Sequence, residues 1–239
     1  MIGIIGAMEE EISLLLGELR EPRTITREQF TFHTGLLRDH RVVILQCGIG
    51  KVNAAIGATL MIELFNPAFL VNTGAAGGIG PDLAIGDLII SREVIHHDVD
   101  VTAFGYQPGQ IPGLPDRFTP DAGLLAAAQA LLEHTTSFRG ITGLVASGDV
   151  FMANPESLTG VLKRFPDVRA IEMEGAAIAQ TCHQLGIPYL IIRAVSDRAD
   201  EASTGDFEEN LHLAARNSAT AVCDLIEISH TITLEGEPS

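Results

Sequence analysis

Cysteine is scarce in this sequence. The three present, Cys47, Cys182 and Cys223, are odd in number, widely spaced and never paired as CxxC. That argues against a disulfide framework or a zinc knuckle and for a reducing compartment. Positive charge is scarce as well: 15 Lys and Arg stand against 31 Asp and Glu, a formal charge of −16 with a pI near 4.7. A field of that sign repels phosphate backbones and anionic lipid, so neither nucleic acid nor a membrane surface is an expected partner. A neutral or cationic small molecule is accommodated more easily than a polyanion. Long apolar runs are missing; none approaches the roughly 20 residues that span a bilayer. The N-terminal MIGIIGAMEEE has no basic stretch and turns acidic after eight residues, unlike a secretory signal. The expected location is the cytoplasm.

Linkers, low-complexity runs and repeats of solenoid period are absent too. What is there is globular: 46% hydrophobic, 19% charged, 24 glycines, few aromatics. At 239 residues, one domain over residues 1–230 is the expectation, with a polar, frayed tail over 231–239 (TITLEGEPS).

Apolar runs and turn signals predict an alternation of strands and helices. Residues 2–6 (IGIIG) read as a buried strand and 8–19 as a helix whose first turn carries Glu9, Glu10 and Glu11, where the helix dipole favours negative charge. Residues 29–37 and 41–47 read as a hairpin, and GIGKVNAA opens a helix from 48. Residues 68–74 read as a strand ending in the turn GAAGGIG, and 88–101 as one long strand. A Gly- and Pro-rich loop covers about 105–120. Then come a helix (121–133), a strand (141–147), a helix (155–164), a strand (168–172), a helix (173–185), a strand (188–194) and a last helix (206–227). Such alternation implies a mixed sheet covered by helices on both faces.

In α/β sheets, ligands bind beyond the carboxyl ends of the strands. Acidic and polar residues gather at those ends: Glu11 after the first strand, Glu172 and Glu174 in AIEMEGAAIAQ, Ser196 and Asp197 in VSDRAD. Each has an ordinary reading, as dipole complement, first-turn carboxylate or helix cap. Glu11, Glu174 and Asp197 on one rim suit general acid–base chemistry better. The glycine stretches at 3–6, 48–51 and 74–80 lack a full dinucleotide or Walker fingerprint and read as tight strand-to-helix turns. His96, His97, Asp98 and Asp100 lack metal-site spacing; on a strand 96, 98 and 100 share one face, suggesting a surface or interface strand rather than a metal site.

GIIGAMEEE, CGIGKVNAA, VNTGAAGG, HHDVDVTAFGY, SGDVF, IEMEGAAIA and RAVSD follow in this order across roughly residues 1–228. Together they resemble the 5′-methylthioadenosine/S-adenosylhomocysteine nucleosidases of the nucleoside phosphorylase superfamily. The resemblance implies a three-layer α/β/α sandwich around a mixed, partly barrel-like sheet. It implies a homodimer, a small adenine nucleoside as substrate, and no metal or other cofactor. It makes Asp197 the general acid at purine N7, oriented by Ser196, Glu11 the group that activates water, and Glu174 the acceptor of ribose hydroxyls above Met173. Glu172 is then a structural carboxylate. Arg193 would support the ribose end. Phe151 would stack on adenine, with Met152 helping to read its edge. Met8, Ile49 and Phe207 would line the 5′-thioalkyl slot, with Val101, Phe104 and Pro112 lent by the neighbouring subunit. Two positions depart from the superfamily pattern. Asn72 stands where related phosphorylases carry a phosphate-gripping arginine, and Ala75 where many relatives keep a serine. Phosphate would have to rely on Lys51 and Arg193, so water is the expected nucleophile.

Overall fold

The computed structural model describes residues 1–199 and 203–228; the expected polar tail at 231–239 lies outside them. Among the described residues, nine strands form one sheet. In chain order they are β1 (Ile2–Gly6), β2 (Arg20–Arg27), β3 (Phe30–Leu37), β4 (His40–Gln46), β5 (Phe69–Gly78), β6 (Leu88–His96), β7 (Gly140–Ser147), β8 (Val168–Glu172) and β9 (Tyr189–Asp197). Six helices accompany them: α1 (Glu9–Glu18), α2 (Lys51–Phe65), α3 (Ala122–His134), α4 (Pro155–Arg164), α5 (Gly175–Leu185) and α6 (Ser203–Glu227).

The spatial order of the strands is β2-β3-β4-β1-β5-β8-β7-β6-β9, and β9 pairs back onto β5. Five strands therefore close a ring, and β1 to β4 extend it as an open wing. β1 is buried along its whole length because it runs parallel between β4 and β5 and is covered on both faces. On one side, α2 and α5 pack over Ile5, Val43, Leu45 and Ile191. On the other, α1, α3 and α6 pack over Ile4, Ile44, Val71 and Ile192. Each fully buried aliphatic of this kind contributes roughly 1.5–3 kcal/mol. The result is the expected α/β/α sandwich with a barrel-like sheet.

Four local expectations change. GAAGGIG is strand rather than turn as far as Gly78, because β5 must pass closely between β8 and β9. A Cβ on Gly78 would lie 2.8 Å from both Cγ atoms of Val195, and one on Gly77 would lie 3.0 Å from Asp197 Oδ1. The strand expected over 88–101 stops at His96, so residues 96, 98 and 100 do not share a strand face; His96 and His97 are both buried instead of lying on a surface strand. β2 is an added edge strand, exposed throughout and so without the apolar alternation that reveals strands. Helix α5 begins at Gly175, two residues later than the apolar pattern suggests, which places Glu174 at the N-cap.

Register brings the strand ends level. Gly6 lies opposite Gln46, Ser147 opposite both His96 and Glu172, and Gly77 opposite both Asp197 and Ile171. The acidic residues of three separate chain segments, Glu11, Glu172 with Glu174, and Asp197, thereby meet on one rim. If the tight passage of β5 closes the ring, Gly78→Ala should destabilise the fold by about 1–3 kcal/mol through overpacking against Val195. Thermal unfolding checks this; an unchanged midpoint would show that β9 yields freely.

Candidate active site

A cavity of about 230 Å³ opens on that rim. Glu11, Glu174, Ser196 and Asp197 line it, together with Met8, Ile49, Phe151, Met173 and Phe207. Phe151 and Phe207 meet edge to face with centroids 5.6 Å apart, forming an apolar wall beside the acids.

Each carboxylate is positioned by its own local rule. Glu11 occupies the third position of α1 and reaches back to the helix start: Oε2 accepts the N–H groups of Ala7 at 2.6 Å and Met8 at 3.0 Å. Oε1 accepts the Ala75 N–H at 2.9 Å. Of the three glutamates in that turn, Glu11 alone is buried. The missing serine hydroxyl at 75 is therefore irrelevant to this contact, which the backbone makes. Glu174 Oε1 accepts the N–H of Gly50 at 2.9 Å, and Lys51 N–H donates to Asp149 at 2.8 Å. The amides of the GIGK turn are thus taken by carboxylates. Gly50 lies at φ +99°, a conformation open chiefly to glycine. Asp197 Oδ2 accepts from Ser196 Oγ at 2.9 Å and Oδ1 from the Ala199 N–H at 2.8 Å. Ala199 is itself at φ +53°, a strained setting that turns this N–H onto Asp197.

Arg193 lies fully buried beneath the cavity rather than in its wall. Its Nη2 donates to Asn72 Oδ1 at 2.7 Å, to Glu174 Oε2 at 3.3 Å and, through a short contact, to Glu172 Oε2; Nη1 lies 3.8 Å from Glu11. Glu172, read from sequence as structural only, also reaches the cavity wall. A Cβ at Gly74 would overlap both the Arg193 guanidinium and the Glu11 carboxylate, so this junction requires glycine.

Three carboxylates around one guanidinium leave an excess of negative charge. Burial pushes the Glu11 carboxyl above its ordinary range, against the opposing pull of Arg193 and three backbone N–H groups. Burial also raises Glu174, to about 7; Arg193 opposes the shift and the neighbouring Glu172 adds to it. Burial works against the Arg193 charge, but Glu172, Glu174 and Glu11 outweigh it and keep the guanidinium protonated. One end of the cavity thus holds a carboxyl, Glu174, that exchanges its proton near neutrality, and Asp197 marks another part of the wall.

The remaining expected residues lie elsewhere. Ala75 stays behind the wall. Met152 lines a small adjoining hollow with Phe151 and Met173. Val101, Phe104 and Pro112 do not line this chain's cavity, and Phe104 is 82% exposed. Lys51, the other candidate phosphate ligand, is paired with Asp98 at 2.6 Å. Among the described residues no group of three His, Cys, Asp or Glu is arranged to hold a metal ion, and no helix is long and apolar enough to cross a membrane. The sequence reading missed Glu172 as a member of the cavity and Asn72 as a partner of Arg193. Their only signal was their place at strand ends.

Comparisons with known proteins show the family. The sequence pattern of the phosphorylase superfamily matches residues 1–227. A 5′-methylthioadenosine/S-adenosylhomocysteine nucleosidase from Pseudoalteromonas translucida is 45% identical over 98% of this chain and 99% of its own. The nucleosidase of that name from Neisseria meningitidis, solved with methylthio-immucillin-A, superposes with a TM-score of 0.93 at 46% identity, covering 95% of this chain and 98% of that one. One from Colwellia psychrerythraea, solved with adenine, gives 0.92 at 44% identity and covers 94% and 93%. A futalosine hydrolase from Helicobacter pylori gives 0.89 at 32%, covering 95% and 97%.

The raised Glu174 carboxyl has a measurable consequence. Its folded-state pKa lies above the unfolded one, so its favourable contribution is complete below about pH 4.5 and is lost as pH rises through about 7. Glu174→Gln removes that loss. Measured by denaturant unfolding, the variant should gain on the wild type as pH rises from 5 to 8, by on the order of 2 kcal/mol given ~1.4 kcal/mol per pKa unit. Parallel pH profiles for the two proteins would contradict the shift.

Proposed function

The chain belongs to the phosphorylase superfamily, among the 5′-methylthioadenosine/S-adenosylhomocysteine nucleosidases, and we propose from that premise that it hydrolyses the N-glycosidic bond of both nucleosides. The products are adenine and the corresponding 5-thioribose. The observation that carries this reading is the convergence of Glu11, Glu174 and Asp197 on one cavity beside an apolar aromatic wall.

Cleaving the bond requires a proton on the leaving purine and stabilisation of the oxocarbenium charge until water attacks. Asp197, oriented by Ser196, delivers its proton to adenine N7 as the bond breaks. Phe151 stacks on the base, and Met152 backs it from the adjoining hollow. Glu174 accepts hydrogen bonds from the ribose hydroxyls above Met173. Glu11 takes a proton from the attacking water, which supplies the new hydroxyl at C1′. Its three N–H donors keep the carboxylate aimed. Arg193 acts from beneath, holding Glu174 and Glu11 in place. Met8, Ile49 and Phe207 offer an apolar slot to the 5′-thioalkyl group.

Water rather than phosphate is the nucleophile because neither expected cation, Arg193 nor Lys51, is free to grip phosphate. Arg193 is enclosed by carboxylates, Lys51 is paired with Asp98, Asn72 is neutral, and Ala75 carries no hydroxyl. The apolar slot favours a thioalkyl tail over the polar tail of a futalosine. A cytoplasmic location and a place in methionine salvage fit this activity, and the three cysteines are free and buried.

The active unit in this reading is a homodimer. Val52 and Ile56 on α2 and Leu185 on α5 are exposed and line an open groove of about 520 Å³. A second copy covering this face would bury them and bring its Val101, Phe104 and Pro112 to the 5′ slot.

Purified protein mixed with 5′-methylthioadenosine should release adenine and free methylthioribose at a rate indifferent to phosphate. Methylthioribose 1-phosphate as product would make it a phosphorylase instead. Asp197→Asn and Glu11→Gln should each lower kcat by about 10²–10⁴-fold; wild-type turnover in either would remove its assigned role. Val52→Glu combined with Ile56→Glu should yield monomers in sedimentation equilibrium and raise KM more than it lowers kcat. A persisting dimer would place the interface elsewhere.

A further inference from the structure

A helix N-terminus leaves its first N–H groups without partners, and the N-cap side chain ordinarily satisfies one of them. In α5 the N-cap is Glu174, and its side chain makes no capping hydrogen bond. Its backbone lies at φ −130°, ψ −37° and its carboxylate extends across to Gly50 and the cavity. The Ala177 N–H donates to Glu174's own carbonyl at 2.9 Å, and the N–H groups before it are taken by other residues. Glu172 Oε2 accepts those of Glu174 at 3.0 Å and Gly175 at 2.8 Å. Ser147 Oγ accepts that of Ala176 at 2.7 Å, and the same hydroxyl makes a short contact with Glu172 Oε1. Glu172 in turn engages Arg193, which also holds Glu174. Gly175 permits this approach, since a Cβ there would sit 3.1 Å from Glu172 Oε1.

We propose that Glu172, fixed by Ser147, is a positioning residue that caps α5 in place of Glu174 and so frees the Glu174 carboxylate for the substrate. A carboxylate beside unsatisfied N–H groups at a helix N-terminus is drawn to them by the hydrogen bonds and the dipole together. With Glu172 already there, that attraction is satisfied, and Glu174 stays extended on Gly50. In this role Glu172 acts through Glu174. The effect on catalysis rests on the nucleosidase reading; the geometric part does not.

The test compares Glu172→Ala with Glu172→Gln. Gln keeps an acceptor oxygen for the Glu174 and Gly175 amides and for Arg193; Ala keeps none. With 5′-methylthioadenosine as substrate and far-UV circular dichroism as a folding control, kcat/KM should fall about 100-fold in the Ala variant, the scale of an ångström-level misplacement. The Gln variant should stay within about 10-fold of wild type. Removing the neighbouring negative charge should also move its acidic limb to lower pH. Equal losses in both variants, or no loss in the Ala variant, would overturn the proposal. If Glu172→Ala does not fold, Ser147→Ala gives the same reading: lowered kcat/KM supports the proposal and an unchanged value refutes it. Crystal structures of the variants decide the geometry independently of substrate. Glu174 should leave Gly50 for the α5 N-terminus in Glu172→Ala and remain on Gly50 in Glu172→Gln; the opposite result would overturn the capping role. A wild-type protein that releases no adenine would count against the nucleosidase reading, while those structures still decide the role of Glu172.

Discussion

The guanidinium of Arg193 is the interaction on which the rest of the site depends. It is fully buried at the middle of β9, and a buried charge is tolerated only when paired and hydrogen-bonded. Its partners come from four other places: Asn72 on β5, Glu172 at the end of β8, Glu174 at the start of α5 and Glu11 in the first turn of α1. Among the described residues, no other ion pair joins these segments. A single cation cannot neutralise three carboxylates. Burial, with the neighbouring Glu172 adding to it, raises the Glu174 carboxyl to about 7.

Close backbone approach is the second requirement, and the glycines meet it at particular points. At 74 a side chain would collide with Arg193 and Glu11; at 78 it would collide with Val195 and block closure of the ring. At 50 the positive φ turns an amide toward Glu174. The glycine stretches that look like phosphate turns serve instead to let strands and carboxylates come near one another. This fits a protein of charge −16, in which the two cations expected to meet phosphate, Lys51 and Arg193, are paired with carboxylates.

Division of labour among the acids follows from their backbone settings. Glu11 is fixed by a helix start, Asp197 by a strand end and a strained turn, and Glu174 by the capping that Glu172 and Ser147 provide. Similar residues a few positions apart therefore reach different surroundings: Glu9 and Glu10 lie outside the buried set to which Glu11 belongs, although all three share one helical turn.

Apolar runs, turn residues and strand-end acids were enough to read from the sequence the helices, most strands, the layered architecture and the rim that carries Glu11, Glu174 and Asp197. Those features are local, since hydrophobic periodicity and turn chemistry report the element that holds them. Contacts between distant segments were not readable. The strand character of GAAGGIG depends on pairing with β8 and β9; the early end of β6 and the burial of His96 and His97 depend on what packs around them. The exposed, polar β2 exists only because β3 offers it an edge. The role of Asn72 depends on Arg193, 121 residues away, and the reach of Glu172 to the helix cap and cavity depends on Ser147 on a neighbouring strand. Sequence thus determined which chemistries were present and which elements carried them. Only the tertiary structure decided how each carboxylate at the cavity is held, because that depends on backbone amides and one buried cation contributed from elsewhere in the chain.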